Sequence, residues 1–458
     1  MNVPALRAEF PALAADGPGG PPRYLDSACM SLVPREVLRA VEEYYVAYPG
    51  CAGRSVHRFS EEVSRRYEEA RAAFAAHFGR RDPRGVVFLR NATEAINLVA
   101  QGLPWRRGDR VVITDREHNS NLVVWQRLAA ERGIRLEVVP LGDDGSFDPE
   151  ALEARLARGV RLVSVFHTSN LDGRTLPLRE IAERAHDRGA QLLADGCQAA
   201  PHARIDLERL GADYYAVSAH KMLGPTGVGA LLATPEALAP LRPLTVGGET
   251  VAWTTLEGHA LRAPPHRFEA GLQNYAGILG ARAGLAFLER VGPEAIEAQQ
   301  LELNRRVSRE LAGEPRLRLL GPEAPEARPS IFAFALAGIE PHDAALFLDE
   351  GYRVLVRSGQ HCVHSFYAAR GLAGNVRASF YLYNDRADAE ALVAGVRELL
   401  ARLPGTGASG TSAASPRRPA PAGRARRPAV GSAGAGARSA RPRRTAAPGR
   451  AGSAGGSG

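Results

Sequence analysis

The sequence contains a single lysine, Lys221, although lysine and arginine together number 58. Arginine can replace lysine as a solvated charge but not as an amine nucleophile, because a guanidinium group does not lose its proton in proteins. An amine that attacks a carbonyl carbon must first become neutral. Lys221 ends the segment Ser218-Ala219-His220-Lys221, which directly follows a short apolar run. Lys221 is therefore either a catalytic amine or a remaining surface cation, and its surroundings must decide between the two.

Polar residues also follow other apolar runs, at the point where each predicted strand ends. Thr93, His118 and Asp195 occupy such positions. Thr93 or Asn91 can cap a helix whose amide groups suit a phosphate. His118 can stack on a planar ligand, and a buried Asp195 needs a cationic partner. Alone, Thr93 is better explained as a helix cap and His118 as a surface side chain. Together with Lys221 they suit pyridoxal phosphate, which combines an aldehyde, a phosphate and a ring nitrogen that must be protonated.

Short apolar runs alternate with helical stretches from residue 85 onwards. Such runs do not alternate between apolar and polar residues, which is typical of parallel strands covered by helices on both faces. The predicted strands are residues 85–89, 110–114, 136–140, 162–166, 191–194 and 214–217. The sequence therefore predicts an α/β fold, with a large three-layer domain around a mostly parallel sheet. Ligands of such sheets bind beyond the carboxyl ends of the strands, where the polar residues lie.

We predict four segments: an N-terminal arm at 1–25, the large domain at 26–280, a smaller C-terminal α+β domain at 281–404, and a tail at 405–458. The tail is predicted to be disordered, because its Gly, Ala, Ser, Pro and Arg cannot bury enough apolar surface to offset its ordering entropy. Helices are predicted at 35–48, from an N-cap at Ser60 to His77, and at 94–101, 121–132, 149–157, 178–188, 281–311, 342–349 and 386–403.

The formal net charge of +8 gives little support to nucleic-acid binding. Residues 405–458 contain ten arginines and no acidic residue, so the rest of the chain is nearly neutral. The four cysteines are far apart and lack metal-ligand spacing, so no metal site is predicted. The sequence shows no signal-peptide pattern and no apolar run near the ~18 residues of a membrane span. These features predict a cytoplasmic protein with free thiols and no membrane partner.

Several stretches, in a fixed order along the chain, carry a family resemblance. They are residues 24–28, 92–100, 117–121, 218–221, 224–227, 267–271, 356–362, 377–380 and 383–384. Through them the chain, from about Tyr24 to Leu403, resembles the class V aminotransferase family of fold-type I pyridoxal-phosphate enzymes. Within that family it is most similar to the group of Suf-type cysteine desulfurases and selenocysteine lyases. The resemblance implies pyridoxal 5′-phosphate as the cofactor.

The resemblance also implies roles for matching residues. Lys221 would hold the cofactor, Asp195 would pair with its ring nitrogen, and Gln198 would bond its phenolic oxygen. His118 would stack on the ring and, with Lys221, move protons, so both are candidate catalytic residues. The residues expected around the phosphate are Ala92, Thr93, Ser218 and His220.

The resemblance places the reactive thiol in the C-terminal part of the chain. Cys362 would be the catalytic nucleophile that takes sulfur from L-cysteine as a persulfide, leaving L-alanine. Asn170 and Arg377 would bind the substrate amino acid, with Arg377 forming a bidentate clamp on its carboxylate. Arg357, near the reactive loop, is a third candidate for substrate binding. His361 and Arg357 are expected to be cations that favour the nucleophilic thiolate. The alternative is that Cys362 is a buried structural thiol, as free cysteines usually are.

The sequence departs from the family pattern at three places. Leu272 replaces a threonine that reaches the cofactor phosphate of the partner subunit, so that hydrogen bond is expected to be missing. Val363 and His364 follow Cys362, where a small residue and a proline two positions further are common. Cys29 replaces an alanine, and neither it nor Cys51 carries a usable signal. These departures leave the exact substrate open.

Two other functions are therefore kept as alternatives. One retains the cofactor in a selenocysteine lyase, a cysteine-sulfinate desulfinase or a class V transaminase, of which the transaminase needs no thiol. The other is a nucleic-acid-binding or scaffold protein that uses its basic tail. We expect a homodimer, with the loop at Arg54 and residues 267–274 near the interface. A sulfur-acceptor protein is expected as well, and the sequence does not identify it.

Overall fold

The computed structural model describes residues 1–14, 20–156 and 159–402. These residues belong to one compact unit. The predicted tail at 405–458 lies outside the described residues, as do Ala157 and Leu403, the predicted ends of two helices. No described helix combines the length and the apolar character that a bilayer crossing requires.

Helices and short strands alternate along most of the chain. The helices are α1 Val3–Ala8, α2 Arg35–Ala47, α3 Arg58–His77, α4 Ala92–Gly102, α5 Val123–Arg132, α6 Pro149–Glu153, α7 Leu178–Asp187, α8 Leu207–Leu210, α9 Pro235–Leu238, α10 Tyr275–Val291, α11 Pro293–Glu310, α12 Pro341–Tyr352, α13 His364–Arg370 and α14 Arg386–Arg402. The strands are β1 Arg23–Tyr24, β2 Val86–Leu89, β3 Arg110–Thr114, β4 Arg135–Val139, β5 Val160–Phe166, β6 Gln191–Asp195, β7 Tyr214–Ser218, β8 Gly229–Ala233, β9 Val251–Thr254, β10 His259–Leu261, β11 Leu317–Leu320, β12 Ile331–Leu336, β13 Val354–Leu355, β14 Arg357–Gly359 and β15 Asn375–Ser379.

The largest sheet has seven strands in the order β2-β8-β7-β6-β5-β3-β4. Strand β8 runs antiparallel to both of its neighbours, and the remaining pairs are parallel. Alternate residues of β6 enter two different cores, since Leu192 and Ala194 pack on one face and Leu193 on the other. Both faces of the sheet are therefore buried, which confirms the predicted α/β architecture.

Strand β8 was not predicted, and its first position, Gly229, has room only for a glycine. A Cβ added at Gly229 would lie 2.5 Å from the Cα of Asn91 and 2.6 Å from the carbonyl oxygen of Val217. Glycine therefore lets β8 pass close to the start of α4. The sequence signal was weak, because the run is short and follows a Gly- and Pro-containing loop.

The smaller sheet is antiparallel, with the order β11-β12-β15-β14. Its core includes Phe332, Phe334 and Val376, and it also takes in Leu25 from the N-terminal segment. The predicted arm is more structured than a linker, because it contains α1 and the fully buried Phe10. The ring of Phe10 packs edge-on against Tyr383, with centroids 4.8 Å apart.

Several predicted helix boundaries are wrong, and two of these errors have a local cause that the structure shows. Helix α3 begins at Arg58, and His57 rather than Ser60 is its N-cap. The hydroxyl of Ser60 instead donates to the carbonyl of Cys51 and accepts from the amide of Ser55, which fixes the preceding loop. The predicted helix over 281–311 is two helices, α10 and α11, that begin at Tyr275 and are separated at Gly292. The break has a local cause, because Gly292 has a φ of 89° and a proline follows it.

Candidate active site

The strand ends of the large sheet and the loop between β14 and α13 line one cavity of about 250 Å³. All of the predicted site residues line this cavity. They are Ala92, Thr93, His118, Asn170, Asp195, Gln198, Ser218, His220, Lys221, Arg357, Cys362 and Arg377. Their common location makes one site from residues that are far apart in the chain, and their individual roles stay predictions.

Lys221 lies in a tight turn directly after the buried strand β7. Residues Ala219–Lys221 form a 3-10 turn, which is closed by a hydrogen bond of 2.8 Å from the amide of Met222 to the carbonyl of Ala219. The amide of Gly224 donates to the same carbonyl, and a Cβ at Gly224 would lie 2.8 Å from the Cβ of Ala219. The turn thus holds Lys221 at the carboxyl end of the sheet.

Asp195 is the last residue of β6 and is buried. Its Oδ1 accepts a hydrogen bond of 3.1 Å from the amide of Cys197. Gly196 permits the turn, because a Cβ there would collide with the ring of Tyr215. A buried carboxylate is unfavourable without a cationic partner. A protonated ring nitrogen in the cavity would supply one.

Gln198 lies three residues further on and is also buried. Its Nε2 donates to the carbonyl oxygen of Ala28 at 2.6 Å. Its buried Oε1 has no partner within the described part of the chain. Most buried polar side-chain atoms are hydrogen-bonded, so the unsatisfied amide of Gln198 is consistent with a polar ligand beside it.

The start of α4 forms the end of the cavity that suits a phosphate. Asn91 caps this helix, with its Oδ1 accepting from the amide of Glu94 at 3.0 Å. The amide of Ala92 donates to Oγ of Ser218 at 2.9 Å, which ties the helix to the end of β7. The hydroxyl of Thr93 lies in the first helical turn, where the free amides and the helix dipole favour an anion.

The two cavity histidines outside the Cys362 loop are neutral near pH 7. Burial, followed by the charge of Lys221, lowers the pKa of both His118 and His220 to about 4. The amide of Ser120 donates to Nδ1 of His118 at 3.1 Å. Since Nδ1 accepts this bond, neutral His118 carries its proton on Nε2.

Arg377 projects from β15 and is buried. Its Nη1 donates to the carbonyl of Asn170 at 2.7 Å, and its Nη2 lies 3.3 Å from Oδ1 of Asp26. Its Nε has no hydrogen-bond partner among the described residues. A fixed guanidinium with an unused donor suits a carboxylate ligand. Asp26, which orients it, was not recognised from the sequence because 351 positions separate the two residues.

The loop that carries Cys362 has an unusual backbone. His361 and Cys362 have φ values of 48° and 60°, in the left-handed region that non-glycine residues seldom occupy. Contacts to their carbonyl groups hold them there. Nδ2 of Asn170 donates to the carbonyl of His361, and the amide of Asn119 donates to that of Cys362, both at 2.7 Å. His364 joins the same contact region, because its Nδ1 accepts from Nδ2 of Asn119 at 2.6 Å.

His361 does not supply the positive charge that the sequence suggested. Burial, followed by the charges of Arg377 and Arg357, lowers the pKa of His361 to about 2, so the side chain is neutral. Its Nε2 lies 3.0 Å from Oδ1 of Asn375. The cation beside the thiol of Cys362 is Arg357, whose Nη2 lies 4.0 Å from the sulfur.

Cys29 is a cavity residue that the sequence did not reveal. Nη1 of Arg357 lies 2.5 Å from Sγ of Cys29, so one guanidinium contacts both Cys29 and Cys362. The only sequence signal was the departure from alanine at this position. Leu272, another departure, is 62% exposed and does not line the cavity.

The family of this chain is identified by comparing its sequence with models of known families. A sequence profile described as "Aminotransferase class-V" matches residues 23–392. The match spans most of the chain, so the chain belongs to the class-V aminotransferase family. The family predicted from the ordered stretches is therefore confirmed.

Individual relatives agree with this assignment. The sequence is 37% identical over 402 residues to a probable cysteine desulfurase of Halobacterium salinarum, covering 87% of this chain and 96% of that protein. The apo structure of a cysteine desulfurase from Thermococcus onnurineus NA1 matches with a TM-score of 0.84 at 36% identity, covering 88% and 99% of the two chains. A mutant of the protein C-DES with glycine linked to its PLP cofactor matches with a TM-score of 0.74 at 25% identity, covering 85% and 98%. The predicted fold is therefore confirmed.

Proposed function

We propose that this chain is a pyridoxal-phosphate-dependent cysteine desulfurase. It converts L-cysteine to L-alanine and takes the sulfur onto Cys362. The observation that carries the proposal is one cavity in which Lys221, Arg377 and the thiol of Cys362 meet. The activity names of the relatives in Halobacterium and Thermococcus support it.

The residues of the cavity fit the cofactor. Lys221 provides the amine that holds its aldehyde, and buried Asp195 provides the negative charge that keeps its ring nitrogen protonated. Nε2 of Gln198 donates one proton to the carbonyl of Ala28 and retains a second, with which it would bond the phenolic oxygen. The first turn of α4, with Ser218 and His220, is placed for the phosphate.

Bound pyridoxal phosphate supplies an electron sink that weakens the bonds around the α-carbon of an attached amino acid. The protein residues bind and orient that amino acid. Arg377 takes the substrate carboxylate, while Asp26 and the carbonyl of Asn170 hold the guanidinium in place. Nζ of Lys221 and Nε2 of His118 are the atoms that carry and move protons.

The sulfur step is carried by Cys362. Its thiolate attacks the substrate sulfur, a new sulfur–sulfur bond forms, and the carbon–sulfur bond of the substrate breaks. The carbon skeleton keeps the electron pair and leaves as L-alanine after protonation, while Cys362 carries a persulfide. Arg357 stabilises the attacking thiolate, because its guanidinium lies beside the sulfur.

The test is alanine release from L-cysteine by the purified, cofactor-loaded protein in the presence of a reductant. We expect release by the wild type and its loss in Cys362→Ser, with the cofactor still bound. Cys51→Ser is the matched control, because Cys51 is a free cysteine that does not line the cavity. It should release alanine as the wild type does.

Other outcomes would assign a different reaction. Alanine from both the wild type and Cys362→Ser would contradict the persulfide and indicate a lyase that needs no thiol, with selenocysteine as a second substrate to test. If neither protein releases alanine while the cofactor is bound, the proposal is overturned. That result would favour a class V transaminase or a cysteine-sulfinate desulfinase, which amino-group transfer and sulfite release would distinguish.

We also propose a homodimer that passes sulfur to an acceptor protein. The hairpin formed by β9 and β10 supports the dimer, because Trp253 is 55% exposed and Leu256 is fully exposed. Large exposed apolar side chains that cluster often mark an interface. Light scattering during size-exclusion chromatography should give twice the chain mass, and a monomer would contradict the dimer. Four free cysteines are consistent with a reducing compartment, and we propose the cytoplasm.

A further inference from the structure

Three thiols line the active-site cavity: Cys29, Cys197 and Cys362. The proposed reaction uses one of them. Cys29 and Cys362 are 333 positions apart by their residue numbers, yet both contact the guanidinium of Arg357. A single cation thus contacts two sulfur atoms within one cavity.

Cys197 differs from this pair. Burial, followed by the charge of Asp195, raises the pKa of its thiol to about 12, so Cys197 stays protonated and is a poor nucleophile. Its sulfur donates towards Oγ of Ser218 at 3.7 Å, rather than contacting an arginine. The cavity therefore separates its thiols into one inert cysteine and two cysteines next to a cation.

We propose that Cys29 is a second sulfur-carrying residue, which receives the sulfur atom from the persulfide of Cys362. The inference rests on the proposed desulfurase function. The thiolate of Cys29 attacks the outer sulfur of the persulfide, and a bond forms between that sulfur and Sγ of Cys29. The bond from the outer sulfur to Cys362 breaks, and its electron pair leaves on the Cys362 thiolate. No oxidant or reductant is consumed, because one thiolate and one persulfide are present before and after the exchange.

Arg357 suits both ends of this exchange. It contacts the attacking sulfur through Nη1 and the leaving sulfur through Nη2, so it stabilises the negative charge before and after transfer. A persulfide extends the reach of Cys362 by about 2 Å, the length of a sulfur–sulfur bond. During the transfer the outer sulfur is partly bonded to both cysteines, so the two Sγ atoms must approach to roughly two sulfur–sulfur bond lengths, about 4–5 Å.

Cys29 and Cys362 are both partly exposed, so the exposure of Cys29 allows it to carry sulfur as that of Cys362 does. Cys29 is partly exposed, and the next residue, Met30, is 41% exposed. The amide of Cys29 donates to the carbonyl of Asp26 at 3.0 Å, in a turn that borders the cavity.

The experiment locates the sulfur by mass spectrometry. Cofactor-loaded protein is mixed with L-cysteine, thiols and persulfides are blocked with iodoacetamide at successive times, and the trypsin digest is searched for one added sulfur atom. Every cysteine falls on a separate peptide after cleavage at arginine. The peptides are residues 24–35 for Cys29, 40–54 for Cys51, 189–204 for Cys197 and 358–370 for Cys362.

In the wild type we expect added sulfur first on the Cys362 peptide and then on the Cys29 peptide. Cys362→Ser should lose the signal from both peptides, whereas Cys29→Ala should keep it on Cys362 and lose it from Cys29. The Cys51 peptide is the internal control and should stay unmodified. A second variant, Cys29→Ser, keeps the side-chain size and should behave like Cys29→Ala.

The results that would contradict the transfer to Cys29 differ from the result that would contradict the desulfurase function. Sulfur on Cys362 alone at all times in the wild type would overturn the proposed transfer to Cys29 and leave the desulfurase proposal intact. Sulfur on Cys29 in Cys362→Ser, or equal amounts on Cys29 and Cys51, would overturn it by showing transfer that does not pass through Cys362. Absence of added sulfur from every peptide, with no alanine formed, would mean that the proposed function itself has failed.

Discussion

The two sheets hold their parts of the cavity in different ways. The large sheet ends in short turns, and close contacts at Gly196, Gly224 and Gly229 leave no space for a side chain. The groups that follow these strands are held by packing on both faces of the sheet. The smaller sheet instead presents Cys362 on a loop whose backbone is in the left-handed region and is anchored through carbonyl contacts.

This difference corresponds to two tasks in the reaction that we propose. Lys221 must keep the cofactor in one position through every turnover, and tight packing serves that purpose. Cys362 must take up a sulfur atom and give it away, and a loop anchored by a few hydrogen bonds can do so with less rearrangement. Substitutions at the large sheet should therefore damage assembly of the site, and those at the smaller sheet should damage substrate binding and sulfur transfer.

The largest expected effect is that of Lys221→Arg. The charge is kept but the amine nucleophile is lost, so alanine release should fall by about 10³-fold or more. The control is the double variant Lys221→Arg with Arg81→Lys, which restores one lysine at an exposed position outside the cavity. Alanine release should stay equally low in both variants, and the absorbance band of a cofactor bonded to lysine should be missing from both. Substantial activity in Lys221→Arg would mean that the amine is dispensable.

Arg377→Lys tests the smaller sheet. A point charge replaces the planar fork of the guanidinium, which removes a charge-assisted hydrogen bond worth about 1.5–3 kcal/mol. The KM for L-cysteine should rise by about ten- to 150-fold, with a smaller change in kcat. Arg370→Lys is the control, because Arg370 pairs with Asp115 outside the cavity. A lower kcat at unchanged KM would show that Arg377 does not bind the substrate.

Gly229→Ala tests the packing of the large sheet. The new Cβ would press on Asn91 and Val217, so the free energy of unfolding in urea should fall by about 1–3 kcal/mol. Gly351→Ala is the control, since a Cβ there meets no atom within 4 Å and lies in helix α12. It should be neutral or stabilise by about 0.5–1 kcal/mol. Equal effects of the two substitutions would contradict the tight approach of β8 to α4.

Acid should destabilise the protein through the buried histidines. An unfolded histidine has a pKa near 6.5, whereas that of His361 in the fold is about 2. The contribution of His361 to stability is complete above pH 6.5 and is lost as the pH falls towards its folded value, because the unfolded chain binds the proton first. Below pH 6.5, protonation of His361 in the unfolded chain lowers the free energy of unfolding by about 1.4 kcal/mol per pH unit. His361→Gln should remove this contribution, so its free energy of unfolding in urea should fall less steeply as the pH falls. The exposed control His259→Gln should keep the wild-type slope.

Much of the fold was accessible from local sequence patterns. The predicted strands of the large sheet all appear, because short, uniformly apolar runs between helical stretches are typical of strands buried on both faces. Strand β8 and the break at Gly292 were missed, since both depend on what a single glycine contacts or permits. The start of α3 was missed for a similar reason, because the hydroxyl of Ser60 serves the preceding loop and not its own helix.

The two halves of the site differed in how far they could be predicted. Asp195 and Lys221 follow strands of the large sheet, so their position at one edge could be derived from the chain order. Arg377 and Cys362 came from family resemblance alone, because a loop after an antiparallel sheet has no comparable rule. Cys29 could not be placed at all, since only the folded chain brings it to Arg357.

Because the chain has a single lysine, the site can be labelled chemically at one side chain. Lys221 is the one side-chain primary amine of the chain, and it lies in the cavity. Reductive methylation with isotope-labelled formaldehyde would therefore mark one side chain besides the N-terminus. An amine that is bonded to the cofactor aldehyde has no free electron pair for this reaction, so the intensity of the resulting NMR signal would measure the fraction of chains in which Lys221 was free when the label was added.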